Sequence, residues 1–480
     1  MNIVRLYIDP GTGSMLFAIL IGLLGVARFA FKGLWVKIRF LLSGGKAKDD
    51  SDKAIKLAVF SDDKRYWSVF EPILKEMDKR GFDCVYMTAS EDDPGLKSEM
   101  EHVKAECIGP GNKAFAKLNF VKAAIVLSTT PGVDVYQWKR SKDAKYYVHI
   151  PHSPAEMTTY RMFGIDFYDA VLCSGQFQID DTRDLEEVRH LKAKELVLTG
   201  SPFMDEKKKK FEERKAASET GSDAEVKAGS ETSDTEKAPS EDPSGKTRTV
   251  LLAPSWGTSA ILSRYGADFI RDLLATGYHI IVRPHPQSFT SEKELMDKLM
   301  AEFPDSDSIE WNRDTDNFDA LNRSDILISD FSGVIFDFSL VFDKPVICAD
   351  TEFDSSPYDA WWLKRLPWGL SVIPRLGAKL TKENRGDLKK MIDDCLEDSS
   401  FTESRHQVRD EAWAYQGEGT KRVCDYLVSK YEELTKKTEE ESEKDSKKSS
   451  EKKSKKSSKK NAEAVSEEDV SEVSETVEEK

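Results

Sequence analysis

The chain has 480 residues, enough for two or three domains, and carries 71 basic against 86 acidic side chains for a net charge of −15. That balance argues against a broad nucleic-acid footprint. Six cysteines without a C-x-x-C pair argue against a disulfide framework or zinc knuckle and fit a reducing compartment.

In chain order, the first notable run is apolar. From Gly11 to Ala27 no residue is charged, and the apolar character resumes after Arg28 as far as Trp35. About 25 residues with two basic interruptions suffice to cross a roughly 30 Å hydrocarbon layer. The expectation is an N-terminal transmembrane helix, with residues 1–42 forming a membrane anchor and juxtamembrane basic segment. Lys32, Lys37, Arg39, Lys46 and Lys48 against a single preceding Arg5 place the rest of the chain in the cytoplasm. The expected location is therefore the cell inner (cytoplasmic) membrane, single-pass, with inner membrane lipid as a partner. An interfacial helix over residues 29–42 is the alternative.

Residues 43–54 read as a polar linker. Strand-like runs then alternate with helical ones from 55 to 204: "IKLAVF", "FDCVYMT", "AAIVLSTT", "KYYVHI", "DAVLCSG" and "ELVLTGSP". Aliphatic strands with intervening helices predict a largely parallel sheet covered on both faces. Composition changes at Asp205, and residues 205–248 are too poor in apolar side chains to order themselves, so a disordered charged linker or insertion is expected there, with one charged helix at its start as the alternative. A second α/β unit follows over 249–435, with "TVLLAPSW", "YHIIVRPHP" and "PVICAD" as strands. From 436 to 480 a tail of lysine-rich and then acidic blocks is expected to be disordered. Two α/β units facing a cleft suit a nucleotide-linked substrate, since ligands lie beyond the carboxyl ends of strands in such sheets.

Four stretches carry candidate chemistry. In "SDILISDFSGVIFDF" a strand ends near Ile328 and a helix begins near Gly333, so residues 329–333 form a strand-to-helix turn. Ser332 is placed to cap the helix, Gly333 admits a ligand close to the backbone, and the hydroxyls of Ser329 and Ser332 join the free N–H groups as phosphate donors. Asp330 belongs to the same turn, and Asp337 is placed to reach a substrate hydroxyl or a neighbouring cation. No G-x-x-x-x-G-K-S/T pattern occurs, which argues against a P-loop. In "IIVRPHP", Arg283 and His285 lie two apart and share a face while the strand geometry persists, one suited to phosphate oxygens and the other to proton exchange. In "APSWGTS", Trp256 offers an aromatic surface, and Gly257, Thr258 and Ser259 bring backbone near phosphate. In "VHIPHSPAE", His152 is the first choice for a base that deprotonates an alcohol, with His149 as the reserve. A zinc site on those two histidines lacks a third local ligand.

Taken together, "APSWG", "VRPHP", "ISDFSGVIFDF" and "KPVI" resemble the CDP-glycerol glycerophosphotransferase family, the primase- and polymerase-like enzymes of teichoic-acid assembly. The resemblance covers principally residues 248–350. It implies a GT-B-like fold of two Rossmann-type domains, an N-terminal acceptor-side one and a C-terminal donor-nucleotide-binding one, with CDP-glycerol as donor substrate and CMP as product. It further implies that Arg283 and His285 match the family's histidine loop, that Ser329, Asp330, Ser332 and Asp337 match its donor-phosphate signature, and that Trp256 matches an aromatic of the earlier turn. The acceptor implied is a hydroxyl on a membrane-associated glycan or lipid-linked saccharide. No metal is required, and a divalent ion is left open. One departure stands out: where members commonly carry a W-H-G-T sequence, this chain has "VHIPHSPAE", so the base is His152 or His149. A GT-B glycosyltransferase using a nucleotide sugar and a membrane-tethered non-catalytic scaffold are the competing readings.

Overall fold

The computed structural model describes residues 54–219, 248–314, 316–350 and 353–440. Seven strands make a first sheet: β1 (Ile55–Ser61), β2 (Cys84–Thr88), β3 (Val103–Cys107), β4 (Ala123–Ser128), β5 (Ala144–His149), β6 (Ala170–Cys173) and β7 (Glu195–Leu198). Six make a second: β8 (Thr249–Leu252), β9 (His279–Val282), β10 (Ile309–Trp311), β11 (Ile326–Ser329), β12 (Val346–Ala349) and β13 (Gly377–Leu380). The orders are β3-β2-β1-β4-β5-β6-β7 and β10-β9-β8-β11-β12-β13. Every pairing is parallel, as the alternation of strand and helix predicts.

Aliphatic runs become central strands because both faces of each sheet are covered. Along β1, Leu57 and Val59 join one apolar cluster while Ala58 and Phe60 join another, the two-residue period of a strand. The cluster holding Leu57 and Val59 continues through Leu251, Leu327 and Phe338, so the two sheets share one core.

Two helices carry the chain between the sheets. The helix Pro202–Glu219 leaves the first sheet and packs on the second, where Lys207 pairs with Asp337 at 2.7 Å and Phe211 meets Phe342 with ring centroids 4.8 Å apart. A last helix, residues 419–440, returns to the first sheet, where Arg80 binds Asp425 at 2.8 Å and Lys430 binds Glu195 at 2.7 Å. Asp205 accepts from Trp413 Nε1 at 2.8 Å and from the N–H groups of Gly417 and Gly419, each at 2.7 Å, and so holds the two crossings together. A third tie is the buried carboxylate of Asp359, which meets Arg189 of the first sheet at 2.5 Å and the N–H groups of Phe163 and Gly164.

Several expectations are corrected. Residues 205–219 form a charged helix, the alternative left open for the start of the linker, and its cations Lys207, Lys210 and Arg214 pair with Asp337, Asp316 and Asp319; residues 220–247 lie outside the described residues. The last helix runs past 436 to 440, and the rest of the tail lies outside the described residues. The transmembrane helix is not supported: among the described residues no helix is long and apolar enough to cross a membrane, and residues 1–53 lie outside them. The single-pass inner-membrane placement, which rested on that segment, is likewise without support among the described residues. All six cysteines are free, and five are buried.

Candidate active site

The carboxyl ends of both sheets open on a cavity of about 460 Å³. His152, Ser153, Glu156 and Tyr160 reach it from the first sheet; Trp256, Thr258, Ser332, Gly333 and Tyr358 reach it from the second. A more open groove of about 520 Å³, lined by Trp67, Lys75 and Lys97, brings together none of the candidate residues.

The bend after β11 is built around a carboxylate. Asp330 is 1% exposed and accepts from Phe331 N–H at 2.7 Å, Ser255 N–H at 2.8 Å and Ile261 N–H at 3.0 Å. It thereby fixes the bend against the loop after β8. Burial raises its pKa, and the three N–H donors oppose that rise. Ser329 is fully buried and donates to the Ala253 carbonyl at 2.7 Å. Neither side chain is a free donor for a ligand: both shape the bend from beneath. Helical backbone then runs as Val334–Phe336 and a π-turn over Asp337–Val341. The capping expected of Ser332 does not occur, because Gly333 takes the capping position and no side chain bonds there. Among the described residues, the N–H groups of Ser332 and Gly333 have no acceptor, and both residues line the cavity. A methyl group on Gly333 would stand 3.2 Å from Ser153 Oγ, which shows how closely the two sheets' loops approach.

The loop after β8 differs from expectation in one amide. Gly257, at φ +95°, donates its N–H to Glu292 at 3.2 Å, and Ser263 donates to the same oxygen at 2.5 Å. Its amide is therefore engaged, while Trp256, Thr258 and Ser259 face the cavity. Trp256 is 47% exposed, and its ring lies 6.4 Å from that of His285. His285 Nδ1 accepts from Gln287 N–H at 3.1 Å, so the neutral ring carries its proton on Nε2. Burial, followed by the charge of Arg65, lowers its pKa to about 4.

Arg283 and Asp337 point elsewhere. Arg283 turns toward the loop after β10, donating to Asn312 and, at 2.8 Å, to the Asp314 carbonyl. Asp337 is held by Lys207 at 2.7 Å and Asn317 at 3.3 Å. Neither lines the cavity, and His285 stands behind Trp256 without lining it.

The two first-sheet histidines separate cleanly. His149, the reserve base, is fully buried, contacts the Tyr160 hydroxyl at 3.2 Å through Nε2, and has no partner at Nδ1. Burial lowers its pKa to about 3, so it is a neutral core residue. His152 lines the cavity, with Nδ1 3.2 Å from Thr129 Oγ1 and its ring between those of Tyr66, at 4.9 Å, and Tyr160, at 6.2 Å. Its pKa falls to about 4, chiefly through burial and then through Arg65.

Sequence reasoning missed Arg65, Tyr66, Thr129, Tyr160 and Glu156. The first three follow directly on β1 and β4, in the polar runs "SDDKRYW" and "STT", a signal available once those strands are recognised. Glu156 accepts from Gly369 N–H at 2.7 Å across the cavity, and burial pushes its pKa up to about 7. A Cβ at Gly369 would stand 2.5 Å from Glu156 Oε2, so any other residue there displaces that carboxylate.

Two parallel sheets with facing carboxyl edges, joined by a helix that returns to the first, define a GT-B-like α/β fold. Residues 56–429 match the family described as CDP-Glycerol:Poly(glycerophosphate) glycerophosphotransferase, and the chain belongs to that family. A glycerophosphotransferase-type activity on a CDP-linked donor follows at the level of the family. A solved structure of the wall teichoic acid polymerase TagF is 13% identical over 85% of this chain and 99% of its own, with a TM-score of 0.50. Another structure of that polymerase, soaked with CDPG, is 13% identical over 84% and 98%, also with a TM-score of 0.50. These likenesses concern the fold. No curated protein sequence matches the chain significantly.

Proposed function

We propose that this chain moves glycerol phosphate, or a related alditol phosphate, from a CDP-linked donor to an acceptor hydroxyl on a glycan or lipid-linked saccharide, releasing CMP. The observation that carries the reading is the juxtaposition of the Ser332 and Gly333 amides with His152 across one cavity. In this reading the amides, with the Ser332 hydroxyl, hold the donor's phosphates, and Trp256 and Thr258 flank the nucleotide. The acceptor oxygen attacks the phosphorus bonded to the alditol, in line with the bond to CMP. That bond breaks, and CMP leaves with the electron pair. His152 takes the acceptor's proton at Nε2, while Nδ1–H donates to Thr129 Oγ1 and keeps the ring oriented. His285, with its proton on Nε2, donates to the charge growing on the leaving phosphate.

The test is donor choice. Full-length protein is incubated with CDP-glycerol, CDP-ribitol, UDP-sugars and GDP-sugars, and nucleotide release is measured. CMP release from a CDP-alditol is expected; release from sugar nucleotides alone overturns the reading.

A further inference from the structure

Arg65 belongs to the cavity's surroundings but has no part in the chemistry above. It lies on the short 3-10 turn Lys64–Tyr66, directly after β1, where the strand order of the first sheet reverses between β1 and β4. In open parallel sheets, ligands lie beyond the carboxyl ends of strands at that reversal. The turn is fixed by Asp63, which accepts from Arg65 N–H at 2.9 Å.

The guanidinium carbon stands 5.3 Å from the Tyr66 ring centroid, and that ring lies 4.9 Å from the His152 ring. Its positive charge opposes protonation of both His152 and His285, second only to burial in each case. Through the Tyr66 ring, this cation stands on the His152 side of the cleft. Its ion pair is with Asp63 at 3.3 Å, and both side chains are more than a third exposed. Water screens such a pair strongly, so it yields readily to a better partner. The adjacent Asp62 is engaged by the Thr130 hydroxyl at 2.9 Å, and burial raises its pKa, which weakens it as a competing anion.

We propose that Arg65 is a phosphate-binding residue of the cleft, holding an anionic phosphate oxygen beyond the carboxyl end of β1, beside Tyr66 and His152. This rests on the phosphoryl-transfer reading of the same site. A guanidinium offers two parallel donors to a phosphate, which suits a group at the strand-order reversal of a parallel sheet. That phosphate has two sources: the phosphoryl group in transfer, or a phosphodiester borne by the acceptor.

The experiment compares the full-length parent with Arg65→Ala and Arg65→Lys. Inorganic pyrophosphate is titrated calorimetrically, and binding is expected to weaken at least fivefold in Arg65→Ala and less in Arg65→Lys. CMP release from CDP-glycerol is then followed with glycerol and with glycerol 3-phosphate as acceptor probes. An equal loss with both assigns the contact to the phosphoryl group in transfer; a loss confined to glycerol 3-phosphate assigns it to the acceptor's phosphate. Unchanged pyrophosphate binding in Arg65→Ala, or turnover within twofold of the parent with both acceptors, overturns the proposal. If the parent releases no CMP from CDP-glycerol, the transferase reading falls, and the pyrophosphate titration still decides the role of Arg65.

Discussion

Beyond β11 the second sheet offers the cavity backbone N–H groups, at Ser332 and Gly333, whereas beyond β5 the first sheet offers it His152, with the Tyr66 ring, from the turn after β1, beside that imidazole. The two edges have the same parallel construction, yet one presents fixed dipoles and the other side chains that titrate or carry charge. Within the second sheet the contrast recurs. The loop after β8 has its amides at Ser255, Gly257 and Ile261 taken by Asp330 and Glu292, while the bend after β11 keeps two amides free. Whether a strand-to-helix turn can hold an anion therefore depends on which carboxylate the fold places beside it. Buried Asp330 and partly exposed Glu292 hold the loop after β8 while the Ser332 and Gly333 amides stay free, and in the proposed function those amides bind phosphate from the second sheet while His152 of the first takes the acceptor's proton.

The largest effect expected from this division is on His152. His152→Ala should lower kcat by roughly two to four orders of magnitude while CMP affinity, read by calorimetry, stays within about threefold of the parent. If CMP affinity falls in parallel with kcat, the two edges do not divide the work. Next in size is Asp330→Asn, which replaces a carboxylate oxygen facing buried N–H groups with an amide nitrogen. A loss of about 2–3 kcal/mol in urea unfolding is expected, because hydrogen bonds to a charged acceptor are the strong ones and a buried donor is left unpaired. An unchanged midpoint and slope would mean that Asp330 does not hold the two loops together.

Much of this could be read from the chain. Aliphatic runs such as "IKLAVF" and "DILIS" became β1 and β11 because parallel strands buried on both faces leave that mark. The bend at 329–333 was placed by its flanks. What the sequence did not reveal was the direction of side chains. Ser329, Asp330, Arg283 and Asp337 are all polar residues near the ends of strands, yet each is satisfied by a neighbour distant in sequence: Ala253, Ser255, Asn312 and Lys207. Similarly, His149 and His152 are three residues apart in one motif, but β5 ends at His149 with the ring in the core, and only the following loop turns His152 outward. Local spacing marks where a loop lies; long-range partners decide which of its polar groups remain available.

That difference between the two histidines has a pH consequence. His149 has a folded pKa of about 3 against about 6.5 unfolded, so the unfolded chain binds its proton first as pH falls. Stability is therefore fully present above about pH 6.5 and is lost as pH drops toward 3. From pH 7 to pH 5 this one group removes about 2 kcal/mol. His149→Phe should reduce by about that amount the loss in urea-unfolding stability between those pH values. An identical loss in parent and variant would show that His149 is not a neutral core residue.

The smallest effect expected separates backbone from side chain at the bend. Ser332 does not cap the helix, since Gly333 holds that position without a side-chain bond, so removing its hydroxyl leaves the local fold intact. If the amides of Ser332 and Gly333 supply most of the phosphate binding, the hydroxyl adds one hydrogen bond among several. Such a bond contributes about 0.5–1.5 kcal/mol net. Ser332→Ala should accordingly weaken CMP binding by roughly two- to tenfold, with unfolding stability unchanged. A hundredfold loss would move the anion contact from the backbone to the hydroxyl. The second sheet, like the first, would then act through a side chain, and the contrast between the two edges would be one of residue type rather than of backbone against side chain.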